Sequence, residues 1–421
     1  MSNSNKLVRV IKKGLKFIGF FLLAIFITAN LFIILSGRFY LYKGISYTYL
    51  SGKTGPTIYD LDVFENSTIK KSAHFEKWKI GSNYNKSTIP SHYKQLLDNL
   101  GTKAFLVFKG DEIIFEKYWD GHKKETVSNS FSAAKTVVSL LIGAAVDEGK
   151  IKNLDEKVGK YIPEFNSNGK EKITIRHLLM MSSGLDWQES GKNPLSENAE
   201  SYYGTDLRGL VTRQHAIEKP GVRFEYQSGD SQLLGYIVEK ATEKDLSAYA
   251  QEKLWNKIGA EHNAFWSLDK LGGDEKSFCC MYATARDFGR LGRLILQRGK
   301  WDTTQVISQS YMDQMLSNPK MTTNEGVPNL RYGLHIWTYL GNPKSPVYYC
   351  RGILGQYIIS IPDKNIVIVR LGSKRGENFE IPKNKEHDKA YIVKNEAKIG
   401  HPEDLFEIVK LGEKMNTELL K

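Results

Sequence analysis

The chain has 421 residues, of which 41% are hydrophobic, 25% charged and 11% aromatic, with 36 glycines and 12 prolines. This composition is ordinary for a globular protein and excludes a collagen-like or wholly disordered chain. The length suits two or three domains of about 150 residues, or one large domain with an insertion. The formal charge of +12 is unusual, because a basic balance is typical of proteins that bind nucleic acids or anionic surfaces.

Part of this charge lies at the N-terminus. Phe17–Leu35 contains nineteen residues without a charge, enough to cross a bilayer core of about 30 Å as a helix. Five cations and no acidic residue precede it: Lys6, Arg9, Lys12, Lys13 and Lys16. The positive-inside rule places residues 1–16 in the cytoplasm and everything after Gly37 outside. Without these five cations the charge is +7, which is unremarkable, and we predict no nucleic-acid partner.

A cleaved secretory signal is the alternative to a membrane anchor. Such signals have apolar cores of about 7–15 residues that end at a small-residue cleavage site. Here the core is longer, and Leu35-Ser36-Gly37-Arg38 is a poor site. We therefore predict an uncleaved transmembrane anchor at 17–36, in a single-pass protein of the cell membrane. The rest of the chain would then be periplasmic or extracellular.

The sequence lacks the motifs of several large enzyme classes. The cysteines, Cys279, Cys280 and Cys350, do not make a disulfide framework, and the adjacent pair is not expected to form a bond. The nine histidines show no HExxH pattern, so we predict neither a metal nor a cofactor. There is also no GxxxxGK[ST] loop, no GxGxxG after a strand and no GxSxG elbow.

The elements in chain order predict one domain after a stalk. Residues 37–95 are polar and aromatic and predict a stalk or N-terminal extension with little regular structure. Ala104–Lys109 and Ile113–Tyr118 flank Gly110-Asp111, which predicts a β-hairpin. Ser132–Gly149 is apolar nearly all round from Val137 to Val146, which predicts a helix buried on every side.

Strand character returns only late in the chain. Residues 150–340 predict mostly short helical or irregular pieces, and Val347–Arg351, Gln356–Ile361 and Asn365–Leu371 are rich in β-formers. An amphipathic closing helix is predicted at 402–418. We predict an α+β fold over residues 96–421, in which one sheet is assembled from both ends of the domain and a helical region is inserted between them.

Ser132-x-x-Lys135 is the strongest candidate for chemistry. A serine at the first turn of a helix lies near backbone N–H groups and the positive end of the helix dipole. The lysine three residues on returns to the same face, and a buried helix would desolvate its amine and let it act as a base. The pattern alone is weak, because it occurs at six serines: Ser67, Ser91, Ser132, Ser167, Ser267 and Ser317. Only Ser132 opens a long apolar helix, and the alternative is a capping serine with a snorkelling lysine.

Two further segments carry candidate residues. Tyr226 lies in a polar, glycine-containing turn, where a neighbouring ammonium would favour the phenolate and make it a proton acceptor. The alternative is a tyrosine with its hydroxyl in water. Glycines in the Cys350-Arg351-Gly352 segment would let a strand approach a substrate and donate an N–H to an oxyanion. The alternative there is a bulge or bend at the start of a strand.

Taken together, Ser132-x-x-Lys135, Tyr226-x-Ser228 and the glycine-containing strand near Gly352 resemble the serine β-lactamase and penicillin-binding-protein superfamily. The resemblance is closer to the branch of class C β-lactamases, DD-peptidases, family VIII esterases and 6-aminohexanoate-dimer hydrolases. It implies an antiparallel sheet flanked by N- and C-terminal helices, with the active site between the sheet and a helical region. Ser132 would be the acylated nucleophile, with Lys135 as general base and Tyr226 as general acid or base.

The resemblance also assigns substrate contacts. Ser228 would contact substrate or the lysine, and Cys350 would supply the second oxyanion donor, or Arg351 with a shift of one residue. The family's Lys-Thr-Gly triad is absent, which argues against antibiotic hydrolysis, although Arg351 could replace its cation. We expect a membrane-anchored serine hydrolase that cleaves a small-molecule or peptide ester or amide. A D-Ala peptidase or β-lactamase and a non-catalytic surface binding protein are the alternatives, and the oligomeric state is left open.

Overall fold

The structure is a computed structural model that describes residues 2–324 and 326–417, with side chains from Leu7 onward. Its helices are α1 (Ser2–Ser36), α2 (Tyr40–Tyr47), α3 (Ser91–Asn99), α4 (Ala134–Asp147), α5 (Ile175–Leu179), α6 (Glu197–Tyr203), α7 (Leu207–Thr212), α8 (Ser228–Thr242), α9 (Leu246–Ala250), α10 (Ala285–Leu296), α11 (Gln309–Met315), α12 (Lys389–Asn395) and α13 (Glu403–Thr417).

The strands are mostly short outside the main sheet. They are β1 (Asn66–Ile69), β2 (Lys79–Ile80), β3 (Thr102–Lys109), β4 (Glu112–Tyr118), β5 (Val127–Asn129), β6 (Arg223–Phe224), β7 (Ala264–Ser267), β8 (Met281–Thr284), β9 (Lys300–Trp301), β10 (Thr304–Gln305), β11 (Thr322–Thr323), β12 (Trp337–Tyr339), β13 (Val347–Gly352), β14 (Gln356–Ile361) and β15 (Ile366–Gly372).

The main sheet has the strand order β12-β13-β14-β15-β3-β4-β2. Its neighbours are antiparallel, except that β2 lies parallel to β4 at one edge. β15 pairs with β3 and so joins the late strands to the early hairpin, with Ile366 opposite Lys109 and Leu371 opposite Ala104. The predicted α+β fold, with one sheet assembled from both ends of the domain, is confirmed.

Helices cover both faces of this sheet. On β15, Val367 lies against Gly292 of α10, and the next residue, Ile368, lies against Gly412 of α13. Successive side chains of a strand point to opposite faces, so α10 and α13 cover different sides. The closing helix buries the apolar stripe that the sequence predicts: Leu405, Ile408, Leu411 and Met415.

The predicted buried helix is α4, which packs against α8 and the strand β13. Its residues from Ala134 to Ala145 are all buried, and the left-handed Gly149 (φ 70°) follows its end. Because α4 is enclosed on every side, it can carry a polar side chain into an environment without solvent.

A second sheet, β1-β7-β8-β5, was not predicted from the sequence. Its strands have only three or four residues each, and β1 comes from the N-terminal extension. A period-two pattern over so few residues is weak, so tertiary pairing decided this sheet.

The N-terminal extension differs from the stalk with little regular structure that we expected. Residues 37–95 contain α2, β1, β2 and most of α3, and Ile58, Phe64, Ile69 and Trp78 are buried against the domain. Some of its aromatic side chains, such as Phe64 and Trp78, therefore pack onto the folded core, whereas others, such as Tyr49, remain exposed. α1 is mostly exposed, and Leu7–Ser36 is long and apolar enough to cross a membrane.

The adjacent cysteines are also a correction. Cys279 and Cys280 form a disulfide with each other, in a turn where Cys280 has a left-handed backbone (φ 67°). We did not expect neighbouring cysteines to pair, but the fold of this segment brings the two sulfur atoms together. Cys350 is free and buried.

Candidate functional site

Ser132 lies in a short 3-10 turn, Phe131–Ala133, directly before α4. Phe131 has a positive φ of 46°, which is strained for a residue with a Cβ, and its N–H donates to Asn129 Oδ1 at 2.8 Å. Gly352 of β13 packs against this turn, because a Cβ on it would lie 2.1 Å from the carbonyl oxygen of Ser130. The structure therefore brings the predicted glycine strand backbone to backbone with the turn that carries Ser132.

Lys135 points from α4 toward Ser132 and is 1% exposed. Its Nζ lies 3.1 Å from Ser132 Oγ, 3.1 Å from Ser228 Oγ and 2.6 Å from the carbonyl oxygen of Phe278. Burial lowers the pKa of Lys135 to about 8, although the carboxylate of Glu189 acts in the opposite direction. A substantial neutral fraction therefore exists near neutral pH, as a general base requires.

The partners of Lys135 determine which atoms of this network donate hydrogen bonds and which accept them. Ser228 Oγ donates to Glu189 Oε1 at 2.8 Å, so its oxygen is free to accept from Lys135. The Phe278 carbonyl can only accept. A neutral amine has two N–H donors and one lone pair, and these two partners take both donors. The lone pair of neutral Lys135 is thus left for the hydroxyl proton of Ser132.

Glu189 is a site residue that the sequence reasoning missed. It lies in the loop between α5 and α6 and accepts from both the hydroxyl and the backbone N–H of Ser228, each at 2.8 Å. Trp187 Nε1 holds the same carboxylate at 2.8 Å. No local pattern distinguishes this glutamate from other exposed ones in the sequence, so only the tertiary fold identifies it.

Tyr226 lies at the same site, and its surroundings determine whether its phenol is protonated. Its ring is 5.1 Å from Lys135 Nζ and packs against Trp337, with the ring centres 5.5 Å apart. Burial and the charge of Glu189 raise its pKa, and the neighbouring Ser132 hydroxyl and the Arg351 cation offset this only in part. Desolvation thus outweighs the nearby positive charge, which favours the neutral phenol of Tyr226 over the phenolate. Its role as general acid or base stays a prediction.

The other predicted residues lie on β13. Cys350 faces the core, where burial raises the pKa of its thiol to about 12. Arg351 donates to the carbonyl oxygen of Gly400 at 3.0 Å, and its guanidinium lies 3.3 Å from the ring centre of Trp337. These contacts engage one N–H and one face of the cation on the protein itself, which leaves fewer groups for a substrate carboxylate.

A cavity of about 250 Å³ opens beside Ser132, with Ser228 and Glu189 at the same end. Within the described residues, no cluster of three or more His, Cys, Asp and Glu side chains could hold a metal ion. The chemistry that this arrangement supports is nucleophilic attack by a serine hydroxyl beside a buried amine.

Comparisons with known proteins identify the family of the chain. The chain is 28% identical to the 6-aminohexanoate-dimer hydrolase of Paenarthrobacter ureafaciens over 306 residues, covering 66% of this chain and 74% of that protein. A solved structure from Bacillus anthracis, assigned as a 6-aminohexanoate-dimer hydrolase, superposes with a TM-score of 0.65 at 21% identity, covering 79% of this chain and 90% of that one. A family VIII carboxylesterase gives a TM-score of 0.57 at 17% identity, covering 76% and 98%. These two superpositions show the shared fold, and residues 91–391 match the beta-lactamase family. The chain belongs to the beta-lactamase family, within the β-lactamase/transpeptidase-like superfamily.

Proposed function

We propose that this protein is an exported, membrane-anchored serine hydrolase that cleaves an ester or amide through an acyl-enzyme on Ser132. The observation that carries the proposal is the position of Lys135, which is buried with its Nζ 3.1 Å from Ser132 Oγ and 3.1 Å from Ser228 Oγ. Relatives that are themselves hydrolases, an aminohexanoate-dimer hydrolase and a carboxylesterase, support an ester or amide as the substrate class.

In the proposed reaction, neutral Lys135 accepts the hydroxyl proton as Ser132 Oγ bonds to the substrate carbonyl carbon. The Ser132 N–H and an N–H of β13, from Cys350 or Arg351, stabilise the oxyanion. Tyr226, kept as a phenol by burial, relays the proton from Lys135 to the leaving group as the carbon–oxygen or carbon–nitrogen bond breaks, so both side chains end in their starting protonation states. Water then attacks the acyl-enzyme by the same route in reverse and frees Ser132.

The second candidate, a D-Ala peptidase or β-lactamase, has less support. Its substrates carry a carboxylate, for which the family's Lys-Thr-Gly lysine is absent here. Arg351, the cation at that strand, is already held by Gly400 and Trp337. The neutral ester or amide is therefore the favoured substrate.

Membrane anchoring rests on α1. Its long apolar stretch follows a basic N-terminus, which supports a helix that spans the cell membrane with the hydrolase domain outside the cytoplasm. Mapping by protease protection in cells expressing the full chain tests this placement. Digestion of the domain by protease added from outside supports it, and full protection contradicts it.

The acyl-enzyme is tested by intact mass. We expect the full chain in detergent micelles to gain one acyl group from p-nitrophenyl butyrate and to turn this ester over. Ser132→Ala should remove both properties. Ser91→Ala is the matched control, because Ser91 also opens a helix with a lysine three residues on but lies exposed.

The same measurement separates the alternatives. Turnover that survives in Ser132→Ala contradicts the proposed nucleophile. A stable adduct with a fluorescent penicillin, without ester turnover, favours the peptidase or β-lactamase. Neither an adduct nor turnover with esters, amides, penicillins or D-Ala-D-Ala peptides favours a non-catalytic protein.

A further inference from the structure

One wall of the cavity beside Ser132 comes from a part of the chain that carries none of the catalytic motifs. The N-terminal extension supplies this wall through α2 and the turn after it, from Tyr40, Leu41, Gly44, Ile45, Thr48 and Tyr49. Ser132 and Ser228 line the same cavity. The segment that follows the apolar helix α1 therefore encloses the space that a substrate of Ser132 would occupy.

The walls of this cavity are mainly hydrocarbon and aromatic. Leu41 and Ile45 come from α2, Tyr202 and Tyr203 come from α6, and Phe278 lies near the serine. Lys192 supplies a cation among the described lining residues, but its side chain is exposed on a loop. A mainly apolar cavity that is also lined by Ser132 fits an aliphatic chain whose carbonyl reaches that serine.

Specific contacts hold α2 in this position. Gly44 allows α2 to approach α6, since a Cβ there would lie 3.3 Å from the ring of Tyr203. Arg38 Nη1 donates to the carbonyl oxygen of Leu195 at 3.0 Å, and the Tyr40 hydroxyl donates to that of Pro194 at 3.0 Å. The wall is therefore fixed to the domain at several points.

The same wall lies next to the proposed membrane anchor. Only residues 37–39 separate α1 from α2, and three residues span at most about 10 Å. The Tyr42 hydroxyl donates to Asn30 Oδ1 of α1 at 2.7 Å, which couples the two helices directly. Phe39 and Leu50 are 57% and 79% exposed. Exposed apolar side chains and several tyrosines beside a membrane span are typical of the membrane interface.

We propose that the substrate is an amphiphilic ester or amide of the bilayer, whose aliphatic acyl chain lies between α2 and α6 while Ser132 attacks its carbonyl. This inference rests on the proposed function and names the substrate class of that site. With α1 in a bilayer, α2 and the cavity wall that it forms would lie close to the interface where such molecules have their carbonyl groups.

For an ester, the reaction balances in two steps. Ser132 Oγ bonds to the acyl carbon, the ester carbon–oxygen bond breaks, and the alcohol leaves with the proton that Lys135 accepted from the serine. Water then adds to the acyl-serine, the free acid leaves, and Ser132 regains its proton. The cavity holds the acyl chain through both steps, so the length of the chain should affect the rates of acylation and of deacylation.

The first test compares p-nitrophenyl esters from acetate to octanoate, with the full chain in nanodiscs of ether lipids that contain no ester bond. We expect kcat/KM to rise about two- to fourfold for each added methylene, because each buried methylene contributes hydrophobic free energy. A flat chain-length profile, together with Ser132-dependent turnover of the acetate, overturns this inference and leaves the proposed function intact. Absence of any Ser132-dependent turnover or adduct contradicts the proposed function itself.

Variants in the wall locate the chain. Ile45→Gln should lower the octanoate-to-acetate ratio of kcat/KM about fivefold or more, because it makes the wall polar. Leu41→Trp should reduce octanoate turnover more than acetate turnover by filling the cavity. Ile217→Gln is the matched control, since Ile217 is 70% exposed and is not among the lining residues of the cavity. Equal ratios in all three variants and the unmodified chain overturn the assignment of the cavity.

The last test concerns the bilayer as source. The same nanodiscs are doped with 1-octanoylglycerol, and free octanoate is measured. Octanoate release that Ser132→Ala abolishes and Ile45→Gln reduces supports a bilayer amphiphile. Cleavage of the soluble octanoate ester without release from the doped bilayer overturns the bilayer source.

Discussion

Two regions of the chain carry the same Ser-x-x-Lys pattern at the start of a helix, with opposite surroundings. Ser91 begins α3 and Ser132 immediately precedes α4. Lys94 is exposed over 56% of its side chain and pairs with Asp98 at 2.6 Å, whereas Lys135 is 1% exposed and lies between two serines and a carbonyl. An exposed ion pair leaves a lysine protonated and solvated. Burial, and not the spacing of the motif, therefore makes Lys135 suitable as a base.

The largest expected difference is kinetic. Lys135→Met should lower kcat for p-nitrophenyl butyrate about 10²- to 10⁴-fold, the usual contribution of a general base. Lys94→Met should leave kcat unchanged within a factor of two. Steady-state rates of both variants check this, and a loss of less than tenfold in Lys135→Met would show that the buried lysine is not the base.

The free energy of unfolding should depend on pH because Lys135 is buried. An unfolded lysine has a pKa of about 10.4, whereas that of Lys135 is about 8, so between these values the unfolded state binds the additional proton. Burial of Lys135 therefore lowers the free energy of unfolding below pH 8, and this loss disappears as the pH rises to about 10.5. We expect the stability advantage of Lys135→Met over the unmodified chain to shrink by about 3 kcal/mol over this interval.

Chemical denaturation in detergent at pH 7 and pH 10.5 measures this change. Lys94→Met is the control, and its difference from the unmodified chain should not vary in the same way. A constant difference for Lys135→Met across the interval would mean that folding does not perturb this amine.

The pH dependence of the reaction is the next effect. Because neutral Lys135 is the proposed base, log kcat/KM for a neutral ester should rise with slope one below pH 8 and level off above an apparent pKa of about 8. At pH 6 the rate should be about a hundredfold below the plateau. A plateau already reached at pH 6, or a rise continuing past pH 10, would contradict the assignment.

The smallest expected effect comes from Glu189, which acts through Ser228 and is therefore a positioning residue. Glu189→Gln removes the charge that favours protonated Lys135, so the apparent pKa should move below 8. The plateau rate should fall about tenfold, because Ser228 becomes less firmly held as an acceptor for Lys135.

The pH profile distinguishes this role from a general loss of structure. A purely structural defect lowers the plateau without moving the apparent pKa. Glu171→Gln changes an exposed glutamate in the same way and should alter neither quantity. An unchanged apparent pKa in Glu189→Gln would remove Glu189 from the network that controls Lys135.

Long, strongly patterned elements were predictable. The hairpin around Gly110 follows from two runs of β-formers, the buried helix after Ser132 from a long apolar run, and the closing helix from an apolar stripe. The short strands of the second sheet were not predictable, since three or four residues carry little periodic information. The folded N-terminal extension was missed for a related reason, because its buried residues, such as Phe64 and Trp78, are widely spaced in a polar sequence.

The order and spacing of Ser132, Lys135, Tyr226 and Gly352 resemble those of a known superfamily, and from this resemblance the sequence predicts that they act in one chemistry. The tertiary structure alone decided the protonation of these groups, since the pKa values of Lys135 and Tyr226 depend on desolvation by distant parts of the chain. It also decided that Glu189 joins the network and that α2 forms a wall of the cavity. Burial and contact between residues far apart in the chain are set by packing, which no local pattern encodes.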